Sequence, residues 1–395
     1  MWFSRNAEKE LIRELLDTEF FRNSGLKRQL AFYPFANKMV KADLVCQLME
    51  SLWPMAESKK IFPVFRDFDL FLIASGKRGH FIHQFEVFLL GLRFIHLFLE
   101  RTDGPKPRLF YSNTNRVSFT WLMTSTAHDF GLPLGVANLI ADRLSDLYKA
   151  LGVLELSTQY ERLVAKNLLQ GENDLQRVSL KEQGDEHFQS VLSVPCLICE
   201  CVEASLGVSR DEAERITETL RKEVNHGYVS GAVLCRSAVL SLLQDKSINQ
   251  VKRSWLFGSL KRAIGAIALH ALHRVGDNDV RKFTEKISFD LNPYAYLLFL
   301  MDNIQDWSRP FTNVKDWPTY ELTRFSLAGK NIKLDYVLSF DNWTTPKKDE
   351  TRESLRARKE LILKAQKPRP PFGIELTVTF ESNEGDKFER IRMDL

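Results

Sequence analysis

The chain has 395 residues, with 55 basic and 51 acidic side chains, a formal charge of +4, 44% hydrophobic and 27% charged residues. That charge is too small to argue for nucleic acid by itself, and the composition with its 28 phenylalanines favours a filled interior over a disordered chain. The length exceeds what one core usually fills, so two or three structural units are expected.

The first residues, Met1 to Arg5, run directly into charged helical sequence at Glu8 to Glu14 without the apolar run of a secretory signal. Residues 1 to about 75 alternate amphipathic helical segments, such as Ala7 to Thr18 and Lys41 to Leu52, with proline-containing turns. They read as an N-terminal helical extension. The most apolar stretch, Phe81 to Leu99, is interrupted by His83, Glu86, Arg93 and His96. It therefore reads as a buried core helix and not as a membrane span.

From residue 76 to 328 the 3.6-residue apolar rhythm dominates and β-branched alternation is rare, which predicts a helical domain. A polar segment, Ser157 to Gln189, interrupts it as an exposed insertion. Five cysteines, an odd number in mostly apolar sequence, point to a reducing compartment, so a cytoplasmic protein is expected. Cys196, Cys199 and Cys201 form C-x-x-C-x-C. Without a second C-x-x-C they read as small buried hydrophobes and not as a zinc site. There is no G-x-x-x-x-G-K-[ST], no H-E-x-x-H and no G-x-S-x-G.

After Ala328-Gly329 the pattern changes. Lys330 to Phe340 reads as a strand and Asp349 to Gln366 as a charged helix. Gly373 to Glu381 and Phe388 to Met393 read as two strands paired across Glu384-Gly385-Asp386. Residues 329–395 thus form a small α+β appendage to a mainly α chain. Lys347 to Arg369 holds nine basic and four acidic residues. Such a run is usually a solvated helix face, and without interleaved aromatics it supports a nucleic-acid partner only weakly.

Chemistry is carried by a series of isolated residues: His83, His128-Asp129, His226, His270 and Asp302, separated by 45, 98, 44 and 32 residues. No local turn makes such a series; only a fold gathers it. Imidazole and carboxylate together suit a divalent transition metal, and an adjacent His-Asp pair can serve two ions if the carboxylate bridges. On a helix, His83 shares a face with Val87, Leu90 and Phe94, with His80 a rival one turn earlier. His128-Asp129 closes an apolar helix just before Gly131 and Pro133. His226 lies between the charged helix Arg210 to Val224 and an apolar one from Tyr228, where an Asn-His cap is an equally good reading. His270 and His273 share one apolar helix face, and either or both could ligate. Asp302 ends the apolar run from Pro293. If buried there, its charge needs a partner or a metal.

These residues resemble the HD superfamily of metal-dependent phosphohydrolases, whose pattern is H…HD…H…H…D. The local sequences His83 to Gly91, Asn225 to Ser230, Ala266 to His270 and Asn292 to Trp307 look like a bacterial branch of it, over about residues 75 to 310. The long interval from His128 to His226 and both terminal appendages depart from the shared core. The resemblance implies a helical HD-type core with two divalent transition metals (Mn, Fe or Zn). His83, His128 and Asp302 would hold one, His226 and His270 the other, and Asp129 would bridge. It implies hydrolysis of a phosphate mono- or diester, with a nucleotide or cyclic nucleotide as the small phosphorylated substrate, through a hydroxide bridging the metals. Two other classes compete: a diiron oxygenase built on the same ligands, and a non-catalytic nucleotide-binding regulator. No membrane partner is expected.

Overall fold

The structure is a computed structural model, and it describes residues 4–22, 26–53, 59, 61–74, 79–100, 114–131, 194–239, 242, 248–305, 319–328, 331–339, 345–365, 375–382, 385 and 387–394. It is mainly helical, with a four-stranded sheet near the C-terminus. The chain packs as two units: residues 1–53, 61–126 and 288–395 form the first, and 54–60 with 127–287 the second. The polar segment Ser157 to Gln189 lies outside the described residues.

The first unit is built on α6 (His80–Glu100), every residue of which from Phe81 to Phe98 is buried. It is long and apolar enough to cross a bilayer, but 94% of its apolar window is buried inside the protein, as in a core helix. Its N-terminus is capped from a distance. Asp69, on α5 (Ile61–Ala74), accepts from Phe81 N at 2.9 Å and Ile82 N at 3.1 Å, satisfying donors that a helix end otherwise leaves orphaned. Its carboxyl is 1% exposed, and burial pushes its pKa up to about 6 against the pull of those amides and of His80.

Around α6 pack α1 (Ser4–Leu16), α2 (Glu19–Arg22), α4 (Lys38–Leu52) and α7 (Thr114–Ala127), while α3 (Lys27–Phe32) packs on α1 and α4. Arg93 of α6 donates to Glu14 of α1 at 2.7 Å, and Lys41 of α4 pairs with Glu8 of α1 at 2.5 Å in a largely buried contact. The approach of α7 depends on Gly91. A Cβ there would lie 2.1 Å from Cζ2 of Trp121, whose indole N–H reaches the Phe88 carbonyl at 2.9 Å.

The sheet belongs to the same unit. Its strands are β1 (Thr319–Ala328), β2 (Asn331–Ser339), β3 (Glu375–Ser382) and β4 (Lys387–Asp394), in the order β1-β2-β3-β4. β1 pairs antiparallel with β2, β2 parallel with β3, and β3 antiparallel with β4. A parallel pair needs a crossover helix; here it is the charged helix, Thr345–Ala365. Leu334, Tyr336 and Leu338 of β2, Leu376, Val378 and Phe380 of β3, and Ile391 of β4 are buried in period-2 alternation, and the rings of Tyr336 and Phe380 stack at 5.2 Å. Part of the basic charge of the crossover helix is neutralised locally. Lys359 pairs with Glu389 at 2.7 Å and Arg352 with Asp349 at 3.2 Å. One expectation is corrected: the helical rhythm does not run to Ala328, because Thr319–Ala328 is the edge strand β1, with a register shift between Leu322 and Arg324.

The second unit holds α8 (Val194–Leu206), α9 (Arg210–Lys222), α10 (His226–Leu234), α11 (Gln250–His270) and α12 (Asn278–Arg281). α9 starts at a reciprocal capping box, Ser209 with Glu212, the pattern that satisfies two orphan donors at once. α8 and α11 touch closely at Gly265, where a Cβ would stand 2.7 Å from the Cys201 carbonyl oxygen. Cys199 and Cys201 are buried on α8 and Cys196 is half-buried. Burial raises the Cys201 thiol well above its ordinary range, and among the described residues no cysteine joins a metal-ligand group. We designate the crossover helix Thr345–Ala365 α14 and the helix Pro293–Ile304 of the first unit α13.

Candidate metal centre

In the second unit the site begins where α7 stops. Thr124, Ser125 and Thr126 each turn a hydroxyl back to a carbonyl four residues earlier, at 2.8, 2.7 and 2.6 Å, which satisfies these buried groups in the last turn. His128 and Asp129 then lie in the turn that follows, and Gly131 N donates to Ser230 Oγ of α10 at 2.7 Å. This bond ties the turn to the helix that opens with His226.

His226 is placed by its neighbour. α9 ends in a Schellman motif: Asn225 N bonds Leu220 O at 2.9 Å and Val224 N bonds Arg221 O at 3.1 Å, with Val224 at φ +49°. The Asn225 side chain then caps α10, accepting from Gly227 N at 3.0 Å, while its Nδ2 donates to Ala271 O at the end of α11 at 3.3 Å. Helix stop, helix start and the link to His270 therefore fall on two residues. The left-handed conformation suits glycine and strains a β-branched side chain by about 1–3 kcal/mol. Val224→Gly is expected to stabilise the chain by about 1 kcal/mol, read as a higher urea midpoint with bound metal unchanged.

His270, the last residue of α11, directs its Nδ1 at Ile267 O at 2.6 Å. A carbonyl only accepts, so Nδ1 carries the proton and Nε2 offers a lone pair. Nε2 lies 3.1 Å from Nε2 of His226 and 3.8 Å from Oδ1 of Asp129; His226 Nε2 stands 3.9 Å from the same oxygen. The second oxygen of Asp129 faces the other way, with Oδ2 3.5 Å from His128 Nε2. The His128 and His270 rings meet edge to face at 5.2 Å. A tetrahedral ion with bonds of about 2.0–2.2 Å keeps its ligands roughly 3.3 Å apart. Asp129, His226 and His270, each offering one atom within 4.8 Å of the others, fit such an ion in both donor type and spacing.

The first unit holds the other two members of the series. His83 on α6 and Asp302 on α13 are 219 residues apart, yet His83 Nε2 lies 2.9 Å from Asp302 Oδ1. Both are buried. α13 begins with Asn292 capping Tyr294 N and Ala295 N and with Pro293 at its first turn. Asp302 falls three turns later, where the helix is apolar on all sides.

The rivals are placed elsewhere. His80 is the first residue of α6, beside Asp69. His273 sits in the short turn Leu272–Arg274, its Nδ1 donating to His270 O at 3.2 Å and its Nε2 accepting from Arg274 at 3.2 Å. Neither joins a metal-ligand group among the described residues. Asp306, four residues after Asp302 in sequence, lies outside the described residues.

Sequence reasoning missed three residues behind His83. Gln305 Oε1 meets His83 Nδ1, Gln305 Nε2 donates to Glu86 Oε2 at 2.8 Å, and the Tyr33 hydroxyl donates to Glu86 Oε1 at 3.2 Å. A signal existed for one of them: Glu86 is an acid in an apolar helix, three residues after a candidate ligand and therefore on its face. Compared with protein-family models, curated proteins and solved structures, the chain matches none.

Proposed function

We propose that this protein is a metal-dependent phosphohydrolase of a small phosphate mono- or diester, with a nucleotide or cyclic nucleotide as the substrate class. The observation that carries the reading is the division of Asp129: Oδ1 faces the His226 and His270 nitrogens, and Oδ2 faces His128. A carboxylate with a different imidazole set at each oxygen suits one shared between two ions. The ligand order H…HD…H…H…D supports the same reading.

A bound divalent ion supplies Lewis acidity and acidifies water. The chain's own part is to hold the donors in place. The Ile267 carbonyl fixes the His270 tautomer, Asn225 sets the start of α10, and Ser230 anchors the turn that carries Asp129.

The test is metal content per chain, by mass spectrometry of protein purified without chelator and after reconstitution with manganese, beside Asp129→Ala. About two ions, lost in the variant, with phosphate released from a panel of nucleotides and cyclic nucleotides, is the expected result. Iron with oxygen consumption and no phosphate release would turn the reading to a diiron oxygenase. No metal after reconstitution would leave a nucleotide-binding regulator.

A further inference from the structure

With Glu86 ionised, the hydrogen bonds linking Tyr33, Glu86, Gln305 and His83 run in one consistent direction. Glu86 is 1% exposed, and as a carboxylate it accepts at both oxygens. The Tyr33 hydroxyl serves one of them; burial and Glu86 itself raise the Tyr33 pKa well above its ordinary value, so this phenol keeps its proton and donates. The other oxygen takes the Gln305 amide nitrogen at 2.8 Å. With its NH2 turned to Glu86, Gln305 has only its carbonyl oxygen left for His83 Nδ1. That nitrogen must then bear a hydrogen.

The consequence appears on the far side of the ring. Nε2 is left facing Asp302 Oδ1 at 2.9 Å. A nitrogen lone pair and a carboxylate oxygen buried at that distance repel unless a positive centre, a proton or a metal ion, lies between them.

We infer that Tyr33, Glu86 and Gln305 are positioning residues that lock His83 as its Nδ1–H form, so that Nε2, paired with Asp302, is the nitrogen presented to metal. The inference rests on the proposed function in taking His83 as a ligand; the tautomer itself does not depend on it. Histidine ligands generally hold their second nitrogen against a carbonyl or carboxylate, and losing such a partner typically weakens metal binding about 10–100-fold. Here the carboxylate acts through an amide, which fixes polarity as well as orientation.

The experiment uses the full chain with 15N-labelled histidine, metal-free and loaded with zinc, and His83→Gln to assign the resonance. In the unsubstituted chain, His83 Nδ1 is expected to carry a proton in both states, with only Nε2 shifting when zinc binds. In Glu86→Gln the acceptor that orients Gln305 becomes an amide able to present either end. His83 is then expected to lose its single tautomer, and zinc affinity by chelator competition to fall about 10-fold or more, with near-ultraviolet circular dichroism unchanged. Gln305→Leu is expected to do the same, which keeps the test available if one variant fails to fold. An unprotonated Nδ1 in the unsubstituted chain, or an unaltered His83 tautomer in both variants, overturns the inference. A protonated Nδ1 with no His83 response to zinc supports the tautomer lock and overturns the assignment of His83 as a ligand.

Discussion

Replacing Gly91 by alanine is expected to destabilise the protein by about 3 kcal/mol, even though alanine is the better helix former by about 1 kcal/mol. The new Cβ would sit 2.1 Å from Cζ2 and 2.8 Å from Nε1 of Trp121, so either the indole or α7 must move. Overpacking of a filled core costs about 1–3 kcal/mol. Displacing the indole also breaks its bond to Phe88 O, and a buried donor left unsatisfied costs about 1–3 kcal/mol more. Gly258 on α11 is the control, because a Cβ there meets nothing within 4 Å. Gly258→Ala is expected to raise stability by about 1 kcal/mol. Urea midpoints of the two variants should move in opposite directions; a shared direction would mean that the α6–α7 approach is not set by Gly91.

The second large effect is a pH dependence that two buried groups conceal from each other. Burial raises the Asp69 pKa to about 6, above its unfolded value, so the folded state binds the extra proton and stability falls as pH rises from about 4 to about 6. Burial, with help from Arg93, lowers the His96 pKa to about 4. There the unfolded state binds the extra proton, and stability rises as pH climbs from about 4 to about 6.5. His96 Nδ1 is buried without a hydrogen-bond partner among the described residues, which suits a neutral ring. Each shift is worth about 3 kcal/mol, so the two slopes nearly cancel. Asp69→Asn keeps an oxygen to accept from Phe81 N and Ile82 N but removes the first slope. Its stability is expected to rise by about 3 kcal/mol from pH 4 to 6.5 while the parent stays nearly level. A level profile in the variant would show that His96 does not supply the opposing slope.

How much was legible in the sequence depended on whether a local pattern carried the information. Strands β2 and β3 showed because their inward residues alternate, as in Leu334, Tyr336 and Leu338. β1 was hidden by its own irregularity. With the register shift between Leu322 and Arg324, the buried residues among its described side chains are Leu322 and Phe325, three apart, and that spacing imitates one face of a helix. The candidate ligands and their order could be read because His and Asp are rare in apolar helices. The choice between His80 and His83, or His270 and His273, could not be made from spacing alone, since both pairs are three apart; in the structure the surroundings of Nε2 differ, with His83 beside Asp302 and His270 beside His226 and Asp129, while His273 accepts from Arg274. Gln305 was invisible for a different reason: it acts on residues 219 and 222 positions earlier, and an isolated glutamine carries no local mark of that.

The hydroxyl of Tyr336 on β2 donates to the carbonyl of Ile304 at 2.7 Å, and that tyrosine is wholly buried. Ile304 is the last residue of α13, between Asp302 and Gln305. A helix's final carbonyls lack partners of their own, so the sheet supplies what the helix end is missing at the turn where two residues of the His83 cluster sit. A chain shortened before β1 would therefore leave the end of α13 without this partner. Asp302 and Gln305 would then sit on a fraying helix end, so the sheet is part of what holds the His83 cluster in place.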